Sequence, residues 1–144
     1  MIRNRNGRTC AIVYNGELYN TRELREMLQK MGCQFTTTSD TEVILTGVME
    51  LGIEFVKKMN GIFAFALWDT KEQKLYLFRD PMGVKPLFYT WCGEELIFAS
   101  ELKGIFAHPL PKPEVDREGW NEIFGIGPAR SGGCGIFKGV HEVL

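Results

Sequence analysis

The 144-residue chain has no apolar run that approaches membrane-spanning length and no apolar stretch after its first arginines that would make a secretion leader. It has no block of like charge either. With 17 basic against 18 acidic residues the formal net charge is −1, too weak a field to gather nucleic acid or anionic lipid, so neither is expected as a partner. Cys10, Cys33, Cys92 and Cys134 contain no CxxC pair, which argues against a zinc knuckle or a dithiol redox motif. The expectation is reduced thiols in a cytoplasmic protein. The two histidines, His108 and His141, lie far from any cysteine and receive no role, and no metal-ligand constellation is legible. Internal repeats and low-complexity tracts are also absent.

What is present is 44% hydrophobic residue content in a length suited to a core-bearing domain. Asn6-Gly7 followed by "RTCAIVY" predicts a hairpin turn feeding a strand, whose partner before the turn is short or missing. Residues 20–32 have apolar positions at helical spacing between a capping Asn20 and a terminating Gly32. "CQFTTT" predicts a strand from its β-branched and aromatic content. A second helix is expected from Ser39 to Gly52, and a short one over residues 53–59.

Beyond Asn60-Gly61 four apolar or alternating runs, "IFAFALWD", "KLYLFRD", "KPLFYTW" and "EELIFAS", predict an antiparallel meander. A short helix capped by Ser100 should follow, then a linker over residues 109–144 with a brief helix near Trp120. Helices laid on a largely antiparallel sheet make the class α+β.

Three motifs are open to chemistry. Asn15-Gly16 in "YNGELYN" reads as a turn, or as an amide and an adjacent peptide N–H that together donate to an oxyanion. In "SDTE", Ser39 and Glu42 have capping-box spacing, which leaves Asp40 free to be stabilised by the helix dipole or to accept from a ligand ammonium. "SGGC", residues 131–134, suggests a phosphate loop only faintly, since it lacks the Walker lysine and a preceding strand.

In order along the chain, "YNGELYN", "SDTEVIL", "NGIFAFALWD", "RDPMGVKPLFY" and "FASELKGI" closely resemble the amino-terminal glutaminase domain of glutamine-hydrolysing asparagine synthetases, which are class II glutamine amidotransferases. The resemblance covers residues 8–108 and continues through "GIFKGVHEVL", the lead into a synthetase domain. It implies an N-terminal-nucleophile fold, a four-layer αββα sandwich, incomplete here at the amino terminus. In such enzymes an amino-terminal cysteine attacks the glutamine amide with its own α-amine as base, a thioester forms and ammonia leaves. Ammonia then meets aspartate activated with ATP and magnesium on the synthetase domain.

Carried over, Asn15 and Gly16 form the oxyanion hole, and Glu17 and Asp40 line the glutamine pocket with Asp40 on the substrate ammonium. Arg79, Asp80 and Lys85 belong to the motif but are assigned no chemistry. The family's opening Met-Cys-Gly, the strands after it and the arginine that grips the substrate carboxylate have no counterpart, a gap of roughly sixty residues. Cys10 lies inside a predicted strand and is expected to be a buried, inert thiol, which makes the isolated chain inactive as a glutaminase. Bare sheet edges and faces lead one to expect self-association. The alternative is a non-catalytic glutamine-binding or protein-assembly module.

Overall fold

The computed structural model describes residues 1–5, 7–126 and 136–144, and the chain divides by its internal contacts into two compact units, residues 1–84 and 85–144. Asn6 of the expected hairpin turn and the "SGGC" stretch lie outside the described residues.

The first unit opens with β1 (Ile2–Arg5) and β2 (Arg8–Leu18), paired antiparallel about Gly7, whose φ of 75° suits a residue without a side chain. Helix α1 (Thr21–Lys30) follows, ending before Gly32 at φ 87°. Asn20 occupies its N-cap position but makes no capping bond; its side chain instead donates to the Lys58 carbonyl and accepts from the Asn60 N–H. Helix α2 (Asp40–Leu51) starts as expected, with Ser39 Oγ accepting from the Glu42 N–H at 3.3 Å, and stops at Gly52. A 3-10 helix spans Ile53–Lys58. Strands β3 (Gly61–Asp69) and β4 (Lys74–Arg79) complete an antiparallel sheet of order β1-β2-β3-β4.

One face of this sheet is the core. Cys10, Ile12 and Leu18 of β2 with Phe63, Phe65 and Leu67 of β3 pack against Leu24 and Leu28 of α1, Val43, Ile44 and Val48 of α2, and Phe55. Burying a side chain of this kind stabilises by about 1.5–3 kcal/mol. Alternation along β2 leaves Val13, Asn15 and Glu17 exposed on the opposite face.

The strand expected at "CQFTTT" does not form. The N–H groups of Thr36 and Thr37 donate to the Glu42 carboxylate at 2.9 and 2.7 Å, which takes the donors a strand ladder would need. β-Branched content alone could not reveal that claim on the backbone.

The second unit contains β5 (Phe88–Cys92), β6 (Glu95–Ala99), α3 (Leu102–Phe106), α4 (Arg117–Ile126) and β7 (Val140–Glu142), with an antiparallel sheet of order β6-β5-β7. Phe88, Ile105 and Val140 form its core cluster. The expected four-strand meander is therefore two hairpins in separate sheets, broken between Arg79 and Phe88. Helix α3 is capped by Glu101, not Ser100, and without a side-chain bond. The brief helix near Trp120 is α4, while residues 140–142, expected within a linker, add a strand beside β5. No helix among the described residues is long and apolar enough to cross a membrane.

Candidate functional site

Asn15 and Gly16 are not a turn. They sit inside β2, in an unbroken register that sets Asn15 opposite Ala64, Gly16 opposite Phe63 and Leu18 opposite Gly61. The turn tendency of Asn-Gly is overridden by the pairing of nine successive β2 residues with β3.

The ladder fixes where each peptide group points, because alternate residues of an antiparallel strand bond to opposite neighbours. Ile12 exchanges bonds with Met1 on the β1 side, its N–H to the Met1 carbonyl at 2.9 Å and its carbonyl accepting from the Met1 amine at 2.7 Å. Tyr19 donates to the Asn60 carbonyl at 2.8 Å, and Thr9 accepts from the Thr70 N–H at 3.0 Å, both on the β3 side. Even-numbered residues of β2 therefore face the β1 side. Past Ile12, β1 offers them no partner. The N–H of Gly16 points to that uncovered edge with no acceptor among the described residues, and the next even one, Leu18, donates to Asp40 Oδ2 at 2.8 Å.

Gly16 is required by the approach of β3 as well. A Cβ built there would stand 2.3 Å from the Ile62 carbonyl oxygen and 2.7 Å from Phe63 Cα, and one at Gly61 would stand 2.3 Å from the Glu17 carbonyl oxygen. Only hydrogens fit between the strands at this end, which keeps the peptide of Gly16 narrow and open to whatever approaches the edge.

Asp40 is the first residue of α2, where the helix dipole stabilises its carboxylate. Its Oδ1 lies 2.7 Å from Thr21 Oγ1, a hydroxyl also 2.6 Å from the Leu18 carbonyl, so one proton serves either acceptor. The structure thus joins Asp40 directly to the strand that holds Asn15, Gly16 and Glu17. Asn15 and Glu17 stand exposed on the face away from the helices, and the Gly16 N–H lies in the plane between.

Sequence reasoning missed Thr21 and Tyr14. Thr21 follows the "YNGELYN" stretch and invites reading as a helix-start residue, with nothing local to reveal its contact to a residue nineteen positions on. The Tyr14 hydroxyl is buried and has no hydrogen-bond partner among the described residues. Burial, then the charges of Asp40 and Glu17, push its pKa up.

Within the first unit neither Cys10 nor Cys33 presents a thiol at this edge. Cys10 is fully buried in the core, and burial followed by the charge of Asp69 raises its pKa; Cys33 is buried and Cys92 half-buried. Arg79 and Asp80 organise a turn: Arg79 Nη2 donates to the Gly83 carbonyl at 2.6 Å, and the buried Asp80 carboxylate accepts from Val84 and Phe63 N–H groups at 3.0 and 3.3 Å. The first unit has a separate cavity of about 360 Å³, lined by Arg5, Arg8, Glu50 and Lys71, and the second unit has one of about 310 Å³, lined by Trp91, Cys92, Lys112 and Lys138. Among the described residues no three His, Cys, Asp or Glu side chains could share a metal ion.

A family model described as glutamine amidotransferase domain matches residues 1–144. The chain belongs to this family. As an amidotransferase domain it is 54% identical over 137 residues to asparagine synthetase [glutamine-hydrolyzing] 3 of Bacillus subtilis, covering 95% of this chain and 22% of that protein. Its fold matches the allosteric regulatory enzyme of purine biosynthesis with a TM-score of 0.64 and 26% identity over 74% of this chain and 24% of that one. The glutamine phosphoribosylpyrophosphate amidotransferase of B. subtilis matches with a TM-score of 0.63 and 27% identity over 72% of this chain and 24% of that one. The amidotransferase domain is thus of the N-terminal-nucleophile type, α+β with antiparallel sheets, as the motifs implied, and it spans about a quarter or less of these relatives' lengths.

Proposed function

We propose that this amidotransferase domain supplies the amide pocket of an asparagine synthetase. In the intact protein glutamine is hydrolysed at the β2 edge and ammonia passes to aspartate activated on a synthetase domain. Asn15 Nδ2 and the Gly16 N–H hold the oxyanion, a role each such donor fills with about 3–4 kcal/mol of transition-state stabilisation. Glu17 and Asp40 line the pocket, with Asp40 taking the substrate ammonium on the lone pairs that Leu18 and Thr21 leave free. The single observation behind this reading is that the Gly16 N–H and the Asp40 carboxylate share one strand edge, the first without an acceptor and the second held by Leu18.

On this reading Cys10 is not the nucleophile. Cys10 faces the core with a pKa raised by burial, the opposite of what an attacking thiol needs. The described chain alone is therefore expected to release no ammonia from glutamine. ATP and magnesium belong to the synthetase domain. Cytoplasmic residence and self-association complete the proposal.

A second reading, a glutamine-binding or assembly module without chemistry, draws on the same burial of Cys10. Calorimetric titration of the chain with L-glutamine tests the pocket that both share. Wild type should bind, and Asp40→Asn, which keeps an oxygen for Leu18 but loses the charge, should bind about tenfold more weakly. Equal affinity in the two proteins would remove Asp40 from the site.

A further inference from the structure

We infer that Thr21 is a positioning residue of the amide pocket, its hydroxyl fixing the plane of the Asp40 carboxylate that receives the ammonium of an amino-acid substrate. This rests on the reading of Asp40 given above and adds to it the group that keeps the carboxylate aimed.

The carboxylate is held on both oxygens at one peptide position of β2. Its Oδ2 accepts from the Leu18 N–H at 2.8 Å, while Oδ1 lies 2.7 Å from Thr21 Oγ1, which itself stands 2.6 Å from the carbonyl of the same Leu18. A ring is closed in this way through the N–H of residue 18, the carboxylate, the threonine hydroxyl and the C=O of residue 18. The hydroxyl has one hydrogen for two acceptors, and the charged oxygen makes the stronger bond. With Oδ2 alone anchored, the carboxylate could turn about Cβ–Cγ, because that torsion is broad in an aspartate. The contact to Thr21 removes this freedom.

Two observations set Thr21 apart from an ordinary helix-start residue. It opens α1, yet its side chain caps nothing there; it crosses instead to the first residue of α2, nineteen positions on. Asp40, for its part, is half-buried and has no ion pair among the described residues. Arg25 reaches the loop before it but donates to the Thr37 and Ser39 carbonyls, at 2.8 and 3.3 Å. The negative charge is therefore kept by the positive ends of two helices and by two hydrogen bonds. Those helix ends repel a cation that comes to them directly. An ammonium is received only on the lone pairs of the carboxylate that Leu18 and Thr21 leave open, so the direction of those lone pairs decides how well it is held. Thr21 sets that direction.

The test is calorimetric titration of wild type, Thr21→Val and Thr21→Ser with L-glutamine and with glutaramate, the same molecule without its ammonium. Valine keeps the branched shape and loses the hydroxyl; serine keeps the hydroxyl. Thr21→Val should bind L-glutamine about five- to tenfold more weakly than wild type and glutaramate equally well, and Thr21→Ser should stay within about twofold of wild type for both. Adding Thr21→Val to Asp40→Asn should bring no further loss of glutamine affinity, because the threonine acts through the carboxylate. Equal loss for both ligands, no loss for L-glutamine, a serine variant as weak as the valine one, or a further loss in the double variant each overturns the inference while leaving the pocket standing. Failure of wild type to bind L-glutamine removes the pocket itself, and this inference with it. Should melting show Thr21→Val unfolded, Thr21→Ala, which suits a first helical turn, takes its place with the same split between ligands expected and the same results overturning it.

Discussion

Glu42 is only 3% exposed yet carries its charge, because its surroundings were built to receive it. Burial alone would raise its pKa. Bonds from the Thr36 and Thr37 N–H and hydroxyl groups outweigh that and hold it at about 2, below the ordinary 4.5. Arg3 of β1 adds an ion pair at 3.1 Å. A carboxylate more acidic in the folded than in the unfolded state stabilises fully above pH 4.5, and its contribution fades as pH falls towards 2. The shift is worth about 3 kcal/mol. Urea unfolding followed from pH 7 to pH 3 should show wild type losing stability below pH 4.5. Glu42→Gln should start about 3 kcal/mol lower and have a flatter profile, with the slope that remains arising partly from Asp69, which Arg8 holds below its ordinary range. The sequence made half of this visible. Ser39 and Glu42 stand at capping-box spacing, and Ser39 does cap, but Glu42 reaches to Thr36 and Thr37 instead of back to Ser39, a choice that depends on where the loop before α2 passes.

At the scale of elements, β2 sets the candidate site, and its central part is where local signals misled most. Asn-Gly is a strong turn pair in isolation, yet pairing along β3 keeps it extended. The gain is a glycine peptide at an open edge, where a turn would have left it among other loop groups. Gly16→Ala should be costly for steric reasons that precede any chemistry. The added Cβ would meet backbone atoms at 2.3 and 2.7 Å, and backbone cannot step aside as a side-chain tip does. Overpacking of this kind costs about 1–3 kcal/mol, and chemical denaturation of Gly16→Ala should show a loss in that range. An unchanged midpoint would mean that β2 and β3 separate freely at this end. The helices were legible because their periodicity and stops are local. The division of four strand-like runs between two sheets was not, since nothing inside "RDPMGVKPLFY" says that β4 and β5 pair with different partners; only the resemblance to a two-sheet family implied it.

For the whole molecule, the order of five motifs carried more than any one of them, and the family match over the full chain agrees with it. Position in a fold is a joint property of distant segments: Asp40 meets Leu18 across 22 residues, and no window of the sequence contains both the contact and its reason. The same argument extends outward, to surfaces whose partners lie outside the chain. On the face of the first sheet turned away from α1 and α2, Ile2 is 73% exposed, Val13 60% and Trp68 38%, and the register sets Ile2 and Trp68 on either side of Ala11. Beside this face the peptide groups of Tyr14 and Gly16 stand on the β2 edge that β1 leaves uncovered. Apolar surface joined to an open edge favours association, and a net charge of −1 supplies little repulsion against it. Sedimentation equilibrium should therefore show dimers or larger species that dissociate on dilution. Val13→Lys places a charge in the middle of the patch on an exposed position, where it costs the monomer little, and should shift the population to monomer. Monomer alone in wild type at high concentration would show that this face is tolerated in water as it stands.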